Sequence, residues 1–286
     1  MRGGEWWEAQ GYSVKLSDAL FARDDWIAGD AGQRARDLEG MFADPEVDVV
    51  QCFRGGYGSA QLIPHLDFEL IAANPKPFVG YSDITSLHVA IRQRTGLATF
   101  YGPGLLGVGA TDTTEFTRGR LLSVLREGGA GDVPRNPDDP YVRSITGGRV
   151  TAPLVGGCLW LLQQSMGTPW EYSGDGAILF IEDVSTYSWH VDGQLFQLAA
   201  AGKLDGAVGV VVGEIAESGW AELPPNFPRT KSMEDVLETR LAPLGVPVLC
   251  GLPLGHGKQL ATLPLGVTCT LDADAKTLTV DEPALR

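Results

Sequence analysis

"KPFVGYSDITSLHVAI", residues 76–91, reads as a short buried strand, a tight turn and an amphipathic helix, and that order decides the fold of the first half of the chain. Ile84, Leu87, His88 and Ile91 fall at helical spacing from about Ile84 to Arg94, and Gly96 supplies a stop. A strand that runs straight into a helix belongs in a parallel sheet covered by helices. Ser82 then stands at the carboxyl end of its strand, where open α/β sheets place their ligands.

Two readings of Ser82 meet at this turn. Serine is among the best helix caps, because its hydroxyl accepts a hydrogen bond from a backbone N–H of the first turn. It is also the residue of a nucleophile on a tight strand-to-helix turn, which needs a small residue two places earlier, and Gly80 is in that place. The G-x-S-x-G pattern is incomplete, since Ile84 stands where its second glycine would be.

Outward from this stretch, strand-like and helical runs alternate. Before it come "YSVKL" (12–16), "GQRARDLEGMFAD" (32–44), "VDVVQCF" (47–53), a glycine loop and "LDFELIAANP" (66–75). Between about Thr111 and Arg149 the chain turns rich in Gly, Pro and Asp, the signature of a linker or crossover. Beyond it lie the strand-like "RVTAPLVGG" and "GAILFIEDV", a helix through "VDGQLFQLAAAGKL" and the strand-like "AVGVVVGEI". A loop around "ELPPNFPRTKS", a helix through "MEDVLETRLAPLG" and the strands "VPVLCGL", "GVTCTLDAD" and "TLTVDE" follow. The expected architecture is α/β: residues 1–112 as a parallel-sheet domain carrying the serine, 113–148 as linker, and 149–286 as a β-rich α/β domain.

Composition excludes several functions. The 286 residues are 44% apolar and 20% charged, which is a globular profile. A net charge of -14 opposes phosphate backbones, so nucleic acid is not an expected partner. The longest apolar stretches are strand-sized, so no membrane span is expected, and the first residues lack a signal-like core, so a cytoplasmic location is expected. Cys52, Cys158, Cys250 and Cys269 form no C-x-x-C pair and read as buried thiols; with four scattered histidines, neither a metal site nor another cofactor is expected.

A nucleophilic serine needs a base, a carboxylate to orient the base, and donors for an oxyanion. His65 and His88 read as packed histidines and His190 is ambiguous; His256, between two glycines just after a strand, is the favoured base. Glu182 and Asp183 end an apolar strand, where one reading leaves both merely solvated and another makes Glu182 the orienting group. The amide of Asp83 follows the serine, and Gly55, Gly56 and Gly58 offer a second amide. Arg54, beside this loop, either binds a substrate carboxylate or braces the loop by a salt bridge.

Taken together, "FRGGYGSAQLIPHLD", "NPKPFVGYSDITSLH", "ILFIEDVSTY" and "GLPLGHGKQLATLPLG" resemble the LD-carboxypeptidase family of serine peptidases, in order along nearly the whole chain. The resemblance implies a flavodoxin-like N-terminal nucleophile domain and a C-terminal β-rich domain, with Ser82 as nucleophile, His256 as base and Glu182 orienting it. It implies an oxyanion hole from the amides of Asp83 and Gly56; Tyr57, in the glycine loop, and Trp160 are further substrate-contact candidates beside Arg54. The implied activity is release of the C-terminal D-Ala from murein tetrapeptides across an L,D bond in peptidoglycan recycling, by a homodimer without metal. One branch of the family instead inactivates microcin C, a peptidyl-nucleotide antibiotic, and a binding protein without turnover is a third reading. Two departures bear on the substrate pocket: Gly193 stands where relatives often carry Arg, and Trp160 where a small polar residue is usual.

Overall fold

The structure is a computed structural model that describes residues 2–138, 141–217 and 231–285. Its helices are α1 (Arg2–Ala9), α2 (Ala31–Ala43), α3 (Phe68–Ala73), α4 (Thr85–Thr95), α5 (Leu105–Val108), α6 (Glu115–Glu127), α7 (Leu159–Gln164), α8 (Ser188–Ala200) and α9 (Met233–Leu241). The first-sheet strands are β1 (Val50–Gln51), β2 (Phe78–Gly80), β3 (Thr99–Tyr101) and, from much later in the chain, β10 (Leu263–Leu265). They lie in the order β1-β2-β3-β10, the first three parallel and β10 antiparallel to β3.

Side chains alternate across this sheet as the pleat requires. Phe78 faces α2, α3 and α4 through Ala35, Phe42, Ile71, Leu87 and Ile91, while Val79 and Phe100 face α1, α5 and α6 through Trp7, Leu105, Val108, Leu121 and Val124. Fully burying side chains of this size contributes about 1.5–3 kcal/mol each, so both helical layers are held by the sheet they cover.

Among the described residues the second sheet has eight strands, β4 (Gly131–Asp132), β5 (Arg143–Thr146), β6 (Arg149–Cys158), β7 (Ile178–Thr186), β8 (Gly209–Glu217), β9 (Val248–Gly255), β11 (Thr268–Asp272) and β12 (Thr277–Val280). Their order is β4-β12-β11-β6-β7-β8-β9-β5, with β6 to β9 parallel in the centre and antiparallel strands outside. Leu179 and Ile181 face α7, α8 and α9; Ile178 and Phe180 face the other way. That second face packs against Tyr101, Leu263 and Leu265 of the first sheet, so one apolar core joins the two sheets.

Two expectations change. "YSVKL" forms no strand: of Tyr12–Leu16 only Val14 is partly buried, and a segment with no apolar face has nothing to hold it in register. Residues 113–148 are more than a linker, since they contain α6, capped by the Thr114 side chain and stopped at Gly128 (φ 79°), and the strands β4 and β5. The Gly-Pro-Asp composition that suggested a crossover is confined to the stretch after α6. The short strands β3 and β10 and the helix α7 carry no periodicity long enough to announce them. Of the loop expected over 222–232, all but the last two residues lie outside the described residues. Among the described residues no helix is long and apolar enough to cross a membrane.

Candidate active site

The turn after β2 settles what Ser82 is not. The residues Ser82–Ile84 form one 3-10 turn led by Tyr81, α4 is led by Ile84, and neither start has a side-chain cap. Ser82 itself sits at φ 64°, a left-handed conformation that costs a non-glycine residue about 1–2 kcal/mol. A β-carbon on Gly80 would lie 2.7 Å from Ile84 Cγ2, so the glycine and the isoleucine are one packing unit. Ile84 thus replaces the second glycine of the elbow pattern without blocking the turn. Backbone strain of this kind clusters at active sites and ligand clamps, which makes Ser82 a candidate functional position.

Ser82 lines a cleft of about 350 Å³ with Arg54, Gly55, Gly56, Tyr81, Gly104 and Leu106. The glycine loop lies against the serine: a β-carbon on Gly55 would meet Ser82 Cβ at 2.9 Å. Gly56 has φ 114°, which suits glycine alone at little cost. The far end of the loop is tied to the turn, because the amide of Ser59 donates to Asp83 Oδ2 at 2.8 Å and its hydroxyl donates to the carbonyl of Asp83. Arg54 Nε donates to the Gly55 carbonyl at 3.3 Å, and Arg54 forms no salt bridge among the described residues. Among the described residues nothing supplies the bracing salt bridge, and the guanidinium lies at the cleft.

The pleat of β7 separates its two acids. Glu182, in phase with Ile178 and Phe180, points to the shared core and is fully buried; Asp183 points the other way, toward α7. Asp183 accepts from the amides of Trp160 at 3.1 Å and Val184 at 2.8 Å, and burial, the largest influence on it, raises its pKa. It is the structural acid of the pair. Glu182 Oε2 lies 2.7 Å from His256 Nδ1, and Glu182 Oε1 accepts from the hydroxyl of Tyr101 at 2.5 Å. Gly255 permits this approach, since at φ 112° its β-carbon would lie 2.4 Å from Glu182 Oε2.

Ser82 is linked to the same carboxylate through its backbone: the Ser82 amide donates to Tyr101 Oη at 3.0 Å. Its neighbour Tyr81 lies on His256, with ring centroids 5.0 Å apart. Ser82, Glu182, His256, Asp83, Gly56 and Arg54 are thus gathered where β2, β3 and β9 end, beside the middle of β7; Glu182 does not end its strand as expected, because pairing with β8 carries β7 on to Thr186. Tyr57 and Trp160 are not among the cleft-lining residues. Tyr57, between Gly56 and Gly58 at positive φ, is turned to solvent (61% exposed), and Trp160 projects from the first turn of α7 (50% exposed). Sequence reasoning missed Tyr101 and the α5 residues; the only signal for the latter was the glycine-rich "YGPGLLGVGA".

Among the described residues none of the remaining histidines or thiols is hydrogen-bonded to Glu182 or lines the Ser82 cleft. His65 and His190 are exposed, so His65 is not the packed residue expected. His88 is buried with Nε2 2.9 Å from the Gly80 carbonyl. The four cysteines are free, and burial pushes the thiols of Cys52, Cys250 and Cys269 up to about 12, which leaves them unreactive as nucleophiles.

Burial also lowers the His88 pKa from 6.5 to about 4. Above pH 6.5 the imidazole is neutral folded or unfolded; between 6.5 and 4 only the unfolded chain takes up the proton, so stability is lost as pH falls through that window. The expected loss is about 3 kcal/mol. Urea unfolding at pH 7.5 and 4.5 checks it: His88→Gln, which can still donate to Gly80, should lose less stability than wild type over the same range by about that amount.

Comparison with known proteins agrees in order and extent. Residues 1–102 match the LD-carboxypeptidase N-terminal domain and residues 151–271 the LD-carboxypeptidase C-terminal domain. A candidate carboxypeptidase of Streptomyces coelicolor is 39% identical, the match covering 91% of this chain and 80% of that protein. A murein tetrapeptide carboxypeptidase of Pseudomonas aeruginosa is 32% identical, covering 93% and 86%. Among solved structures, MccF in complex with glutamyl sulfamoyl guanosine superposes with TM-score 0.88 at 25% identity, covering 100% of this chain and 91% of the other; MccF is a microcin C7 self-immunity protein.

Proposed function

The chain belongs to the LD-carboxypeptidase family, and we propose that it is a serine carboxypeptidase that releases the C-terminal D-Ala of a murein tetrapeptide, with Ser82 as nucleophile, His256 as base and Glu182 orienting the base. The observation that carries this reading is the pairing of Glu182 Oε2 with His256 Nδ1 at 2.7 Å, next to an uncapping serine at φ 64°. With Nδ1 held by the carboxylate, Nε2 is the nitrogen left to exchange protons.

In the proposed reaction His256 Nε2 takes the proton of Ser82 Oγ as that oxygen attacks the carbonyl on the diamino-acid side of the scissile bond. The oxyanion rests on the amides of Asp83 and Gly56, where one such donor contributes about 3 kcal/mol. The imidazolium, steadied by Glu182, then gives its proton to the nitrogen of departing D-Ala, and water hydrolyses the acyl-enzyme through the same base. Arg54 receives the substrate's free carboxylate, a role supported by its place at the cleft with no salt bridge among the described residues. Peptidoglycan recycling in the cytoplasm, by a homodimer, is the setting this family membership suggests.

The similarity to a structure holding glutamyl sulfamoyl guanosine favours one second reading, hydrolysis of a peptidyl-nucleotide antibiotic of the microcin type. Supplying purified protein with L-Ala-D-Glu-diaminopimelate-D-Ala and, separately, with an aminoacyl-sulfamoyl nucleoside distinguishes the two. Free D-Ala from the first supports the murein reading; cleavage of the second alone replaces it.

A further inference from the structure

We infer that Tyr101 is a positioning residue of the reaction, its hydroxyl coupling the nucleophile turn to the carboxylate that orients His256. The inference rests on the assignment of Ser82, His256 and Glu182. Tyr101 ends β3, is fully exposed to nothing but protein (0% accessible), and has one hydroxyl between two partners. The Ser82 amide can only donate, so at 3.0 Å the phenolic oxygen accepts from it. The single hydroxyl proton is then committed to Glu182 Oε1, 2.5 Å away, in the length range of a charge-assisted bond.

Three consequences follow from that one hydroxyl. It occupies Glu182 Oε1, which leaves Oε2 to His256. It sequesters the amide of Ser82, so the oxyanion donors are the next amide, that of Asp83, and the glycine loop. It joins β3 of the first sheet to β7 of the second across the shared core, so the distance between nucleophile and base is set by a hydrogen-bonded chain and not by packing alone. Burial first, then the Glu182 charge, keeps the phenol protonated far above its ordinary range, so it remains a donor throughout the working pH. The ring is clamped by Phe180 at 5.2 Å, His88 at 5.8 Å and Tyr81 at 6.3 Å.

The test is Tyr101→Phe, which keeps the ring and its packing, compared with Glu182→Gln and with the double variant. D-Ala release and the rate of Ser82 labelling by a fluorophosphonate are both followed across pH, with thermal unfolding to verify folding. The groups facing Tyr101 that bear on the profile are Glu182 from β7, Cys158 from β6, His88 from α4, Tyr81 from the turn, and His256 through Glu182. Without the phenol, the carboxylate charge is left for the imidazole alone. The acid limb of the profile should therefore move, because the phenol no longer shares the carboxylate with the imidazole. The expected result is a folded Tyr101→Phe protein with kcat down roughly 10²-fold, KM within about 2-fold, and labelling slowed in parallel. The double variant should be no slower than Glu182→Gln, since Tyr101 acts through Glu182.

Wild-type kcat and an unmoved acid limb in Tyr101→Phe, or losses that simply multiply in the double variant, overturn the inference. If wild type is labelled at Ser82 but frees no D-Ala, the murein substrate fails while the labelling rates still decide on Tyr101. If wild type shows neither, the nucleophile assignment and this inference fall together.

Discussion

Ser82→Ala is expected to lower D-Ala release by roughly 10³-fold or more while leaving the protein folded. The hydroxyl lines the cleft and caps neither the 3-10 turn nor α4, so its removal takes no bond from either element. Alanine keeps the β-carbon that touches the Gly55 region and the left-handed φ of 64°, so stability should change by less than about 1 kcal/mol. His256→Ala should cost as much, and the double variant little more than either alone, because a nucleophile and its base act as one unit. Activity is read with the murein tetrapeptide and folding by circular dichroism and thermal unfolding. Loss factors that multiply, or a Ser82→Ala protein of near-wild-type activity, would remove Ser82 from the role of nucleophile.

Gly255→Ala should damage both stability and turnover. A β-carbon there would stand 2.4 Å from Glu182 Oε2 and 2.8 Å from Glu182 Cβ, on a backbone at φ 112° that side chains rarely adopt. Because Glu182 is fully buried and fixed on its second oxygen by Tyr101, it cannot swing aside without stranding a buried carboxylate oxygen. The expected cost is about 3 kcal/mol of stability and at least roughly a hundredfold in kcat/KM, from displacing the imidazole by a fraction of its bond to Glu182. Gly119→Ala is the matched control. It lies inside α6 with nothing within 4 Å of its β-carbon, so it should gain about 0.5–1 kcal/mol and keep its activity. Denaturant unfolding and steady-state kinetics of the two variants provide the check, and equal behaviour of the two would show that the approach of Gly255 to Glu182 carries no constraint.

What could be read locally was read correctly where neighbours in sequence also decide the conformation. The strand-turn-helix of residues 78–95, the stop at Gly96 (φ 73°), and the apolar strand that carries Glu182, although it runs on to Thr186 instead of ending there, depend on side chains within a few residues. The turn was legible for the same reason, although the incomplete glycine pattern concealed that Ile84 fills the space Gly80 leaves. The β-like "YSVKL" failed because strand propensity without a buried face and a ladder partner does not make a strand.

The sequence by itself determined the elements of the centre, their order and the residue types at their ends, since helix periodicity, pleat alternation and glycine turns are short-range. Only the tertiary structure decided which acid of β7 meets the imidazole, because the face of a strand acquires meaning from what packs on it. It alone brought in β10, 162 residues after β3 when counted from Tyr101 to Leu263, to close the first sheet. The links that make a site of these parts, Tyr101 to Glu182 across 81 residues and Glu182 to His256 across 74, are buried hydrogen bonds between chain-distant strands. They form only once the common core has excluded water from both sheets, and no local pattern encodes that event.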